Sequence, residues 1–318
     1  MPPTSSILPA LLTLAALIHP LALVFGRLDW RIDLLTHFSE PALAVTLVAL
    51  GMVAWRRWRW LAMGLVGLAA LQGAAILRNE WGHPVEPDPR SLARLRILMA
   101  NVLKDNDRYD DLARLIRRER PDVVGLVEYA PGWPEGLADI RREYPYRVED
   151  PTGSKGLALW FRARPLAIDL PESPMPGAWP FLHASFEFEG RTRHLWLIHP
   201  SLPFVRRNTP ELAALAERIR RTGGSRIVVG DMNCTEGSPH FADFLRTAGL
   251  RDSRLGFGRQ PSWPTDWPYR IALDHAFVSD DLAVLDRRLG PMIGSDHFPL
   301  VLDLAPASGA SAATRSER

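Results

Sequence analysis

The 318-residue sequence predicts an α/β domain behind a membrane anchor of about three helices. Three apolar runs precede residue 79, and a proline-rich stretch follows them. From about residue 91 onward, short apolar segments of strand length alternate with amphipathic helical segments. Several of the strand segments end in a residue that can bind a metal or move a proton. These observations predict one globular α/β domain with a polar site at its strand ends.

The apolar runs are the first elements of the chain. Residues 7–26 are long enough to cross the hydrocarbon core of a bilayer as a helix. The second run covers about 37–55, but its apolar part, 41–54, is short for a span, and the third covers about 60–78. A bundle of soluble core helices is the alternative, but such helices normally have a polar face that these runs lack. A cleaved signal peptide is a second alternative for the first run, although residues 1–6 contain no basic side chain.

Basic residues between the second and third runs predict the orientation of the anchor. Arg56, Arg57 and Arg59 lie together in WRRWRW, and clustered arginine marks the cytoplasmic side. The amino terminus is then inside. The loop at 27–40 and everything after residue 78 are outside.

The remaining chain divides into a tether, a domain and a tail. Residues 1–78 are the predicted anchor, and the three prolines of residues 79–92 predict an extended tether. The α/β domain covers 93–305, and the small polar stretch 306–318 predicts a disordered tail. The strand candidates are RLRILMANV, PDVVGLVEY, LALWFR, HASFEFEG, RHLWLIHP, SRIVVGDMN, IALDHAFVS and PLVLDLA, and the helix candidates are DDLARLIRRER and TPELAALAERIRRTGG.

Composition and missing motifs argue against several functional classes. The formal net charge is only +2, whereas a nucleic-acid-binding surface usually shows a clear basic excess. The chain contains no phosphate-binding GxxxxGK[ST] or dinucleotide-binding GxGxxG motif, and no GxSxG nucleophile motif. Its single cysteine, Cys234, excludes an intrachain disulfide and a zinc site made of cysteines.

Polar residues at the strand ends are the candidate site. They are Asn101, Glu128, His199, Asp231, Asn233, Asp274, Asp296 and His297. Strand ends of layered α/β folds converge on one place, and a solvated surface position does not explain a whole series placed alike. Asp231 and Asn233 are two residues apart on a predicted strand and are therefore expected to face the same way. Oxygen donors favour Mg²⁺ or Mn²⁺, and histidines move protons, so the set predicts metal-assisted hydrolysis of a phosphate ester.

The ordered motifs MANV, LVEY, LIHP, GDMN, LDHAFVS and GSDHFPL resemble the endonuclease/exonuclease/phosphatase superfamily, the deoxyribonuclease I-like enzymes, over about residues 94–304. GDMN and SDHFP in that order, behind an acid-bearing strand, make the resemblance specific. It implies a four-layer α/β sandwich with two mixed β-sheets and helices outside.

The resemblance also implies a metal site. Glu128 would hold Mg²⁺, or Mn²⁺, with Asn101 and Asp296 nearby. Asp231 and Asn233 would lie at the scissile phosphate, with Asp231 orienting or deprotonating the attacking water.

Further roles follow from the same resemblance. His297, paired with Asp274, would contact the phosphate and act as acid or base, and His199 would assist phosphate binding or the leaving group. The sequence departs from many nuclease members at Ser154 and Lys155, where those members have an acidic residue. Lys155 would instead contact a phosphate as a point charge, or lie in an exposed turn.

The resemblance leaves the substrate open. Some bacterial members combine three amino-terminal spans with an outward catalytic domain, and one group of them hydrolyses undecaprenyl pyrophosphate. That likeness implies a multi-pass protein of the bacterial inner membrane, with a periplasmic domain and a lipid-linked phosphorylated substrate. The alternatives are a nuclease acting on DNA or RNA outside the cytoplasm and an inactive membrane-tethered binding domain. Trp263, in the Trp-Pro segment 260–270, would contact substrate or pack in the core, and no protein partner follows from the sequence.

Overall fold

The computed structural model describes residues 7–80, 82, 84–203 and 208–308. The chain forms two compact units. The smaller unit consists of Met1–Gly82 together with Cys234–Ala242, and the larger one of His83–Asn233 together with Asp243–Arg318.

The smaller unit is helical. Its helices are α1 (Ile7–Phe25), the short α2 (Trp30–Asp33) with a 3-10 turn at Leu34–His37, α3 (Ser39–Trp55) and α4 (Arg59–Glu80). By length and composition, α1 and the stretch Arg59–Arg78 could each cross a membrane. The segment Trp30–His37 meets α3 at a bend of 73°, and the two count as a third candidate if they form one span.

Small and branched apolar residues pack α1, α3 and α4 together. Ala16, Ala49, Val53 and Leu65 are buried in one cluster, and small residues let helix backbones approach closely. Apolar side chains also point away from the cluster, and Val24 is 67% exposed. Such an apolar outer surface is favourable in lipid and costly in water.

The larger unit consists of two six-stranded sheets. The strands are β1 (Leu95–Asn101), β2 (Val123–Val127), β3 (Tyr146–Asp150), β4 (Leu157–Phe161), β5 (Ala167–Asp169), β6 (Phe181–Phe188), β7 (Arg191–Ile198), β8 (Ser225–Asp231), β9 (Arg251–Asp252), β10 (Asp274–Val278), β11 (Leu282–Leu289) and β12 (Leu300–Pro306). The first sheet has the order β11-β12-β1-β2-β4-β3, and the second β5-β6-β7-β8-β10-β9. Each is mixed, because β1 is parallel to β2 and β7 to β8 while the other pairs are antiparallel.

The alternation of apolar residues in the strands fills two kinds of core. In β1, Ile97 and Met99 lie between the two sheets with residues such as Leu197. Leu98 and Ala100 point the other way, into a cluster under the helices, as period-two alternation requires. The predicted sandwich of two mixed sheets is confirmed.

Helices cover the outer faces of the sheets. They are α5 (Tyr109–Glu119), α6 (Gly132–Gly136), α7 (Ala138–Glu143), α8 (Asn208–Thr222) and α9 (Pro239–Ala248). On the second sheet, Arg218 of α8 lies over the ring of Phe181, and Phe244 of α9 packs against Phe277.

The predicted tether and tail differ from the structure because they pair with each other. Pro87 forms an antiparallel bridge with Ala307. The amide of Asp88 donates to the carbonyl of Pro306 at 2.9 Å, and the amide of Ser308 donates to the carbonyl of Glu86 at 2.8 Å. Proline has no N–H, but its two neighbours make both bonds. Since α4 continues to Glu80, only residues 81–85 separate it from this pairing. Residues 309–318 of the predicted tail lie outside the described residues.

Candidate active site

Neighbouring strand ends bring the candidate residues together. Asp231, the last residue of β8, is the register partner of Asp274, the first residue of β10. In the other sheet, Asn101 ends β1, and Glu128 directly follows β2. The Asn101 Nδ2 donates to Asp231 Oδ2 at 3.1 Å and therefore joins the ends of the two sheets.

A glycine permits the close strand contact just before Asp231. In the register of β7 and β8, Gly230 lies opposite Ile198. A Cβ atom at residue 230 would overlap the carbonyl oxygen of Ile198. The glycine of the GDMN motif is therefore required for the packing of β8.

Asp231 is the centre of the site. Its Oδ1 accepts a hydrogen bond from the amide of Asn233 at 2.9 Å. Its Oδ2 lies 3.7 Å from Nε2 of His199 and 3.6 Å from Nε2 of His297. The carboxyl group is buried, and burial raises its pKa above the ordinary value.

The two histidines have opposite pKa shifts. Burial lowers the pKa of His199, so its imidazole is neutral at pH 7. Burial also opposes a charge on His297, but the carboxylates of Asp274 and Asp231 outweigh it and raise the pKa to about 10. His297 Nδ1 is hydrogen-bonded to Asp274 Oδ2 at 2.7 Å. The predicted pairing of His297 with Asp274 is thus present, and one carboxylate faces a neutral and a charged imidazole.

Asn233 departs from the expected strand geometry. The strand ends at Asp231, and Asn233 has φ 51°, in the left-handed region that asparagine tolerates better than most residues. Its Nδ2 donates to the carbonyl of Pro200 at 3.0 Å. The expectation that its side chain shares a strand face with Asp231 is therefore wrong.

Glu128 has the environment of a cation ligand. It is half-buried, and its backbone is in the left-handed region at φ 56°, a strained conformation for glutamate. Its Oε1 accepts from Asn101 Nδ2 at 3.1 Å, and Oε2 accepts from the amide of Lys104 at 3.4 Å. No basic side chain among the described residues forms an ion pair with it. An unpaired carboxylate beside a buried acid fits a divalent cation.

Asn101 presents its amino group, and not its oxygen, to the acids. The amide of Leu103 donates to Asn101 Oδ1 at 3.0 Å, which fixes the orientation of the side chain. Nδ2 then donates to both Glu128 and Asp231. In this arrangement Asn101 holds two carboxylates in place, and a bond to a metal would have to use the remaining lone pair of Oδ1.

Asp296 is hydrogen-bonded to an aromatic residue. Trp263 Nε1 donates to Asp296 Oδ2 at 3.0 Å, and the Trp263 ring lies 6.4 Å from that of His297. Among the described residues, the group of three acidic or histidine side chains with ligand atoms within 4.8 Å of one another consists of Asp231, Asp274 and His297. That group could hold a metal ion, but His297 would first have to lose a proton that its two acidic neighbours stabilise.

Lys155 lies beside an aromatic residue that sequence reasoning missed. Its Nζ is 5.7 Å from the centroid of the Trp179 ring. Trp179 in turn contacts the ring of His199 edge-on at 4.9 Å. The structure therefore brings Lys155 close to the histidine, through a tryptophan in the irregular segment before β6.

A buried acid fixes the loops around His199 and was also missed. Glu211 Oε1 accepts from the amide of Trp179 at 2.8 Å, and Oε2 accepts from Ser201 Oγ at 2.7 Å. Burial raises the pKa of Glu211. The available signal was an acidic residue near the start of an amphipathic helix, which is a common surface pattern.

Comparisons with known proteins place this site in context. The model of a family described as Endonuclease/Exonuclease/phosphatase matches residues 97–297, more than half of the chain. No curated protein shows significant sequence similarity to this chain.

Solved structures share the fold. D. rerio TDP2, in a complex with a single strand DNA product, is 20% identical, with a TM-score of 0.58 over 67% of this chain and 99% of its own. An endonuclease/exonuclease/phosphatase from Bacteroides vulgatus is 18% identical, with a TM-score of 0.57 over 67% and 99%. A family protein from Leptotrichia buccalis is 17% identical, with a TM-score of 0.55 over 66% and 99%.

Proposed function

The chain belongs to the endonuclease/exonuclease/phosphatase family, whose members are metal-dependent phosphoesterases and nucleases, and we propose that it hydrolyses a lipid-linked phosphate or pyrophosphate ester at a membrane surface. The observation on which the chemistry rests is the environment of Asp231. One buried carboxylate faces two imidazoles whose pKa values are shifted in opposite directions. The charged imidazole of His297 and the carboxylate of Asp231, whose pKa is raised, can serve as acid and base at one pH.

The proposed mechanism assigns each proton to an atom. Asp231, with its raised pKa, takes a proton from the attacking water. The water oxygen forms a bond to phosphorus as the bond to the leaving oxygen breaks. His297, charged and held by Asp274, donates a proton to the leaving group or a hydrogen bond to a phosphate oxygen. His199 is neutral and orients substrate or water beside the same carboxylate.

A divalent cation completes this chemistry. Glu128 would hold it, with Asp296 as the further carboxylate and Asn101 as the residue that keeps Glu128 in position. Mg²⁺ is our first choice and Mn²⁺ the second, because the donors are oxygen atoms. When bound, the cation neutralises phosphate oxygens and the charge that grows on them during displacement.

Contacts within the smaller unit support the proposed membrane topology. Ser238 Oγ donates to the carboxylate of Asp33, so residues 33 and 238 lie on the same side of any bilayer. The chain must then cross an even number of times between them. If α4 crosses, α3 must cross as well, although α3 has only 17 residues and α1 has 19. Three crossings with Arg56, Arg57 and Arg59 inside would leave the larger unit in the periplasm of a bacterium.

The short linker favours a lipid substrate. Residues 81–85 can extend over at most about 18 Å at ~3.3–3.6 Å per residue, which is much less than a free tether over residues 79–92 would allow. A site kept near the headgroups meets a lipid substrate at high effective concentration. We propose an isoprenyl pyrophosphate such as undecaprenyl pyrophosphate as the leading candidate.

A nuclease acting outside the cytoplasm is the second candidate. The structure of D. rerio TDP2 with a single strand DNA product favours it, since that protein has the same fold. The net charge of +2 provides little attraction for a polyanion, so we place the nuclease second. The third candidate, an inactive binding domain, would need a decayed site, and the intact series around Asp231 argues against decay.

The test compares substrates on the full-length protein in lipid nanodiscs. Isoprenyl pyrophosphates, phospholipids, inositol phosphates, plasmid DNA and RNA are each assayed with Mg²⁺ and with a chelator. We expect an isoprenyl pyrophosphate to be hydrolysed fastest and only with the metal.

Asp231→Asn is the matched inactive variant, and we expect it to lose a factor of about 10²–10⁴ in rate with unchanged thermal unfolding. Asp139→Asn, at an exposed position of α7, controls for the loss of a charge. Faster cleavage of DNA or RNA than of every lipid would reject the lipid substrate and favour the nuclease.

A further inference from the structure

The smaller unit contains a segment that belongs, along the chain, to the site. Cys234–Ala242 is part of the helical unit, whereas the residue before it, Asn233, is part of the larger one. Asn233 is two residues after Asp231. The chain therefore passes from the central carboxylate into the anchor within three residues.

A buried carboxylate of the anchor binds this segment. Asp33, at the end of α2, is 4% exposed. Its Oδ1 and Oδ2 accept hydrogen bonds from Ser238 Oγ at 2.9 and 3.1 Å. Thr36 Oγ1 donates to the backbone carbonyl of Asp33 at 2.6 Å. Burying a carboxylate this deeply destabilises the fold unless polar groups form hydrogen bonds with it. The hydroxyl of Ser238 therefore stabilises the buried position of Asp33.

A second pair of side chains lies next to the first. His37 Nδ1 is 3.0 Å from Thr235 Oγ1, and both residues are buried. Between Thr235 and Ser238, the backbone of Gly237 lies so close to Thr36 that a Cβ atom would overlap the Thr36 carbonyl oxygen. Two polar pairs and one close backbone approach thus fix residues 235–238 on the loop between α1 and α3.

The fixed position of residues 235–238 constrains Asp231 through Asn233. The amide of Asn233 donates to Asp231 Oδ1, and its own backbone is in the left-handed region at φ 51°. A residue in that conformation persists when its surroundings on both sides are fixed. On one side is β8, and on the other is the segment bound by Asp33 and His37.

We propose that Asp33 and His37 are positioning residues, through which the membrane anchor fixes the orientation of the Asp231 carboxylate. The anchor then has a part in the reaction itself and not only in localisation. This inference rests on the proposed function, since it concerns the same carboxylate. It implies that turnover of a small soluble substrate also depends on the loop between α1 and α3.

The experiment measures turnover and local order in the full-length protein in detergent. The substrate is bis(p-nitrophenyl) phosphate, which is soluble and has no need of a membrane. For Asp33→Ala we expect kcat to fall about ten-fold with KM unchanged, because a small misplacement of a reacting group lowers the rate more than it lowers binding. Amide hydrogen exchange of residues 232–242 should become at least about ten-fold faster, and that of β1 should stay the same.

A conservative pair separates positioning from folding. Thr235→Val removes the hydroxyl with little change in shape, and Thr235→Ser retains it. We expect the valine variant to lose kcat and exchange protection and the serine variant to recover both. Asp139→Ala, at an exposed position, should change neither.

The outcomes are distinct from those of the proposed function. If Asp33→Ala and Thr235→Val both retain the wild-type kcat and the wild-type exchange of residues 232–242, the inference is wrong. If the wild type hydrolyses no phosphate ester, the proposed function fails, and hydrogen exchange alone decides whether the anchor orders this segment.

Discussion

Two histidines beside one aspartate have different charges because their other neighbours differ. His297 has the carboxylate of Asp274 at 2.7 Å on its Nδ1. His199 contacts the ring of Trp179, and Asp231 is its one acidic neighbour at ion-pair distance among the described residues. Burial acts on both imidazoles in the same direction, so the second carboxylate decides which one is protonated. The difference between an acid and a neutral donor thus arises from a single contact.

The charge on His297 predicts a pH dependence of stability. Its pKa is raised from 6.5 to about 10 in the folded chain. A raised pKa contributes stability that is fully present below about pH 6.5 and is lost as the pH rises towards 10. In chelator, the Tm difference between the wild type and His297→Gln should therefore decrease from pH 6.5 to pH 10. A constant Tm difference over that range would show that His297 is not charged in the folded protein.

Glu128 predicts a change in metal affinity. Replacing its carboxylate by an amide in Glu128→Gln keeps the shape and removes the charge that would hold a cation. We expect the Mg²⁺ concentration for half-maximal activity to rise at least about ten-fold. Direct titration with Mn²⁺, followed by electron paramagnetic resonance, should show the same weakening without any need for substrate.

Glu172→Gln is the matched control, because Glu172 is exposed and lies outside the site. Equal affinity for Mn²⁺ in the wild type and Glu128→Gln would move the metal site away from Glu128.

The sequence predicted which residues lie together in the structure better than it predicted their orientations. Asp231 and the pair formed by Asp274 and His297 follow from motif and strand position. The hydrogen bonds of Asn101 and Asn233 do not, because they depend on the amide of Leu103 and the carbonyl of Pro200 in loops. The opposite protonation of two histidines depends on burial, which only the packed structure determines.

Elements with clear alternation were predictable, and those without it were not. The buried central strands, such as β1 and β8, appear as predicted. The strand β11 was missed because its register shifts between Val284 and Asp286, so that the alternation breaks in the middle. β3 lies at a sheet edge with Tyr146 and Arg147 exposed, and an edge strand of that kind lacks an apolar pattern.

The contact between β7 and β8 predicts the effect of a single methyl group. In Gly230→Ala the new Cβ would overlap the carbonyl of Ile198, so the strands must separate next to Asp231. Overpacking of this kind costs about 1–3 kcal/mol, and we expect a lower Tm together with a loss of turnover. Gly190→Ala is the control, because Gly190 also has a positive φ, of 66° against 157° at Gly230, but has open space around it. An equal loss of Tm in the two variants would assign the effect to backbone conformation alone.

At the scale of the whole molecule, the return of the chain into the anchor was not predictable. The segment 234–242 is short and lacks the apolar run of a membrane-spanning helix. It follows the GDMN motif, whose residues up to Asn233 belong to the larger unit. Only the tertiary contacts of Asp33 and His37 reveal that they join the helical unit.

The proposed topology predicts the behaviour of reporter fusions. Alkaline phosphatase fused after residue 90 should be active in a bacterial host, and green fluorescent protein exported unfolded at that point should be dark. After Arg57 the two results should be reversed, because that loop is expected inside. Fluorescence after residue 90 with inactive phosphatase would invert the orientation, and identical results at both positions would mean that α4 does not cross the membrane.

Because of the bridge between Pro87 and Ala307, the order of the linker after α4 depends on residues near the carboxyl terminus. Proteolysis or a cloning design that ends the chain before Pro306 removes both backbone partners of residues 86–88. The linker then lengthens from residues 81–85 towards Leu95, where β1 begins. A cut near one end of the chain would thereby release the backbone of residues 86–88 near the other end, while the contacts of Ser238 and Thr235 with Asp33 and His37 remain.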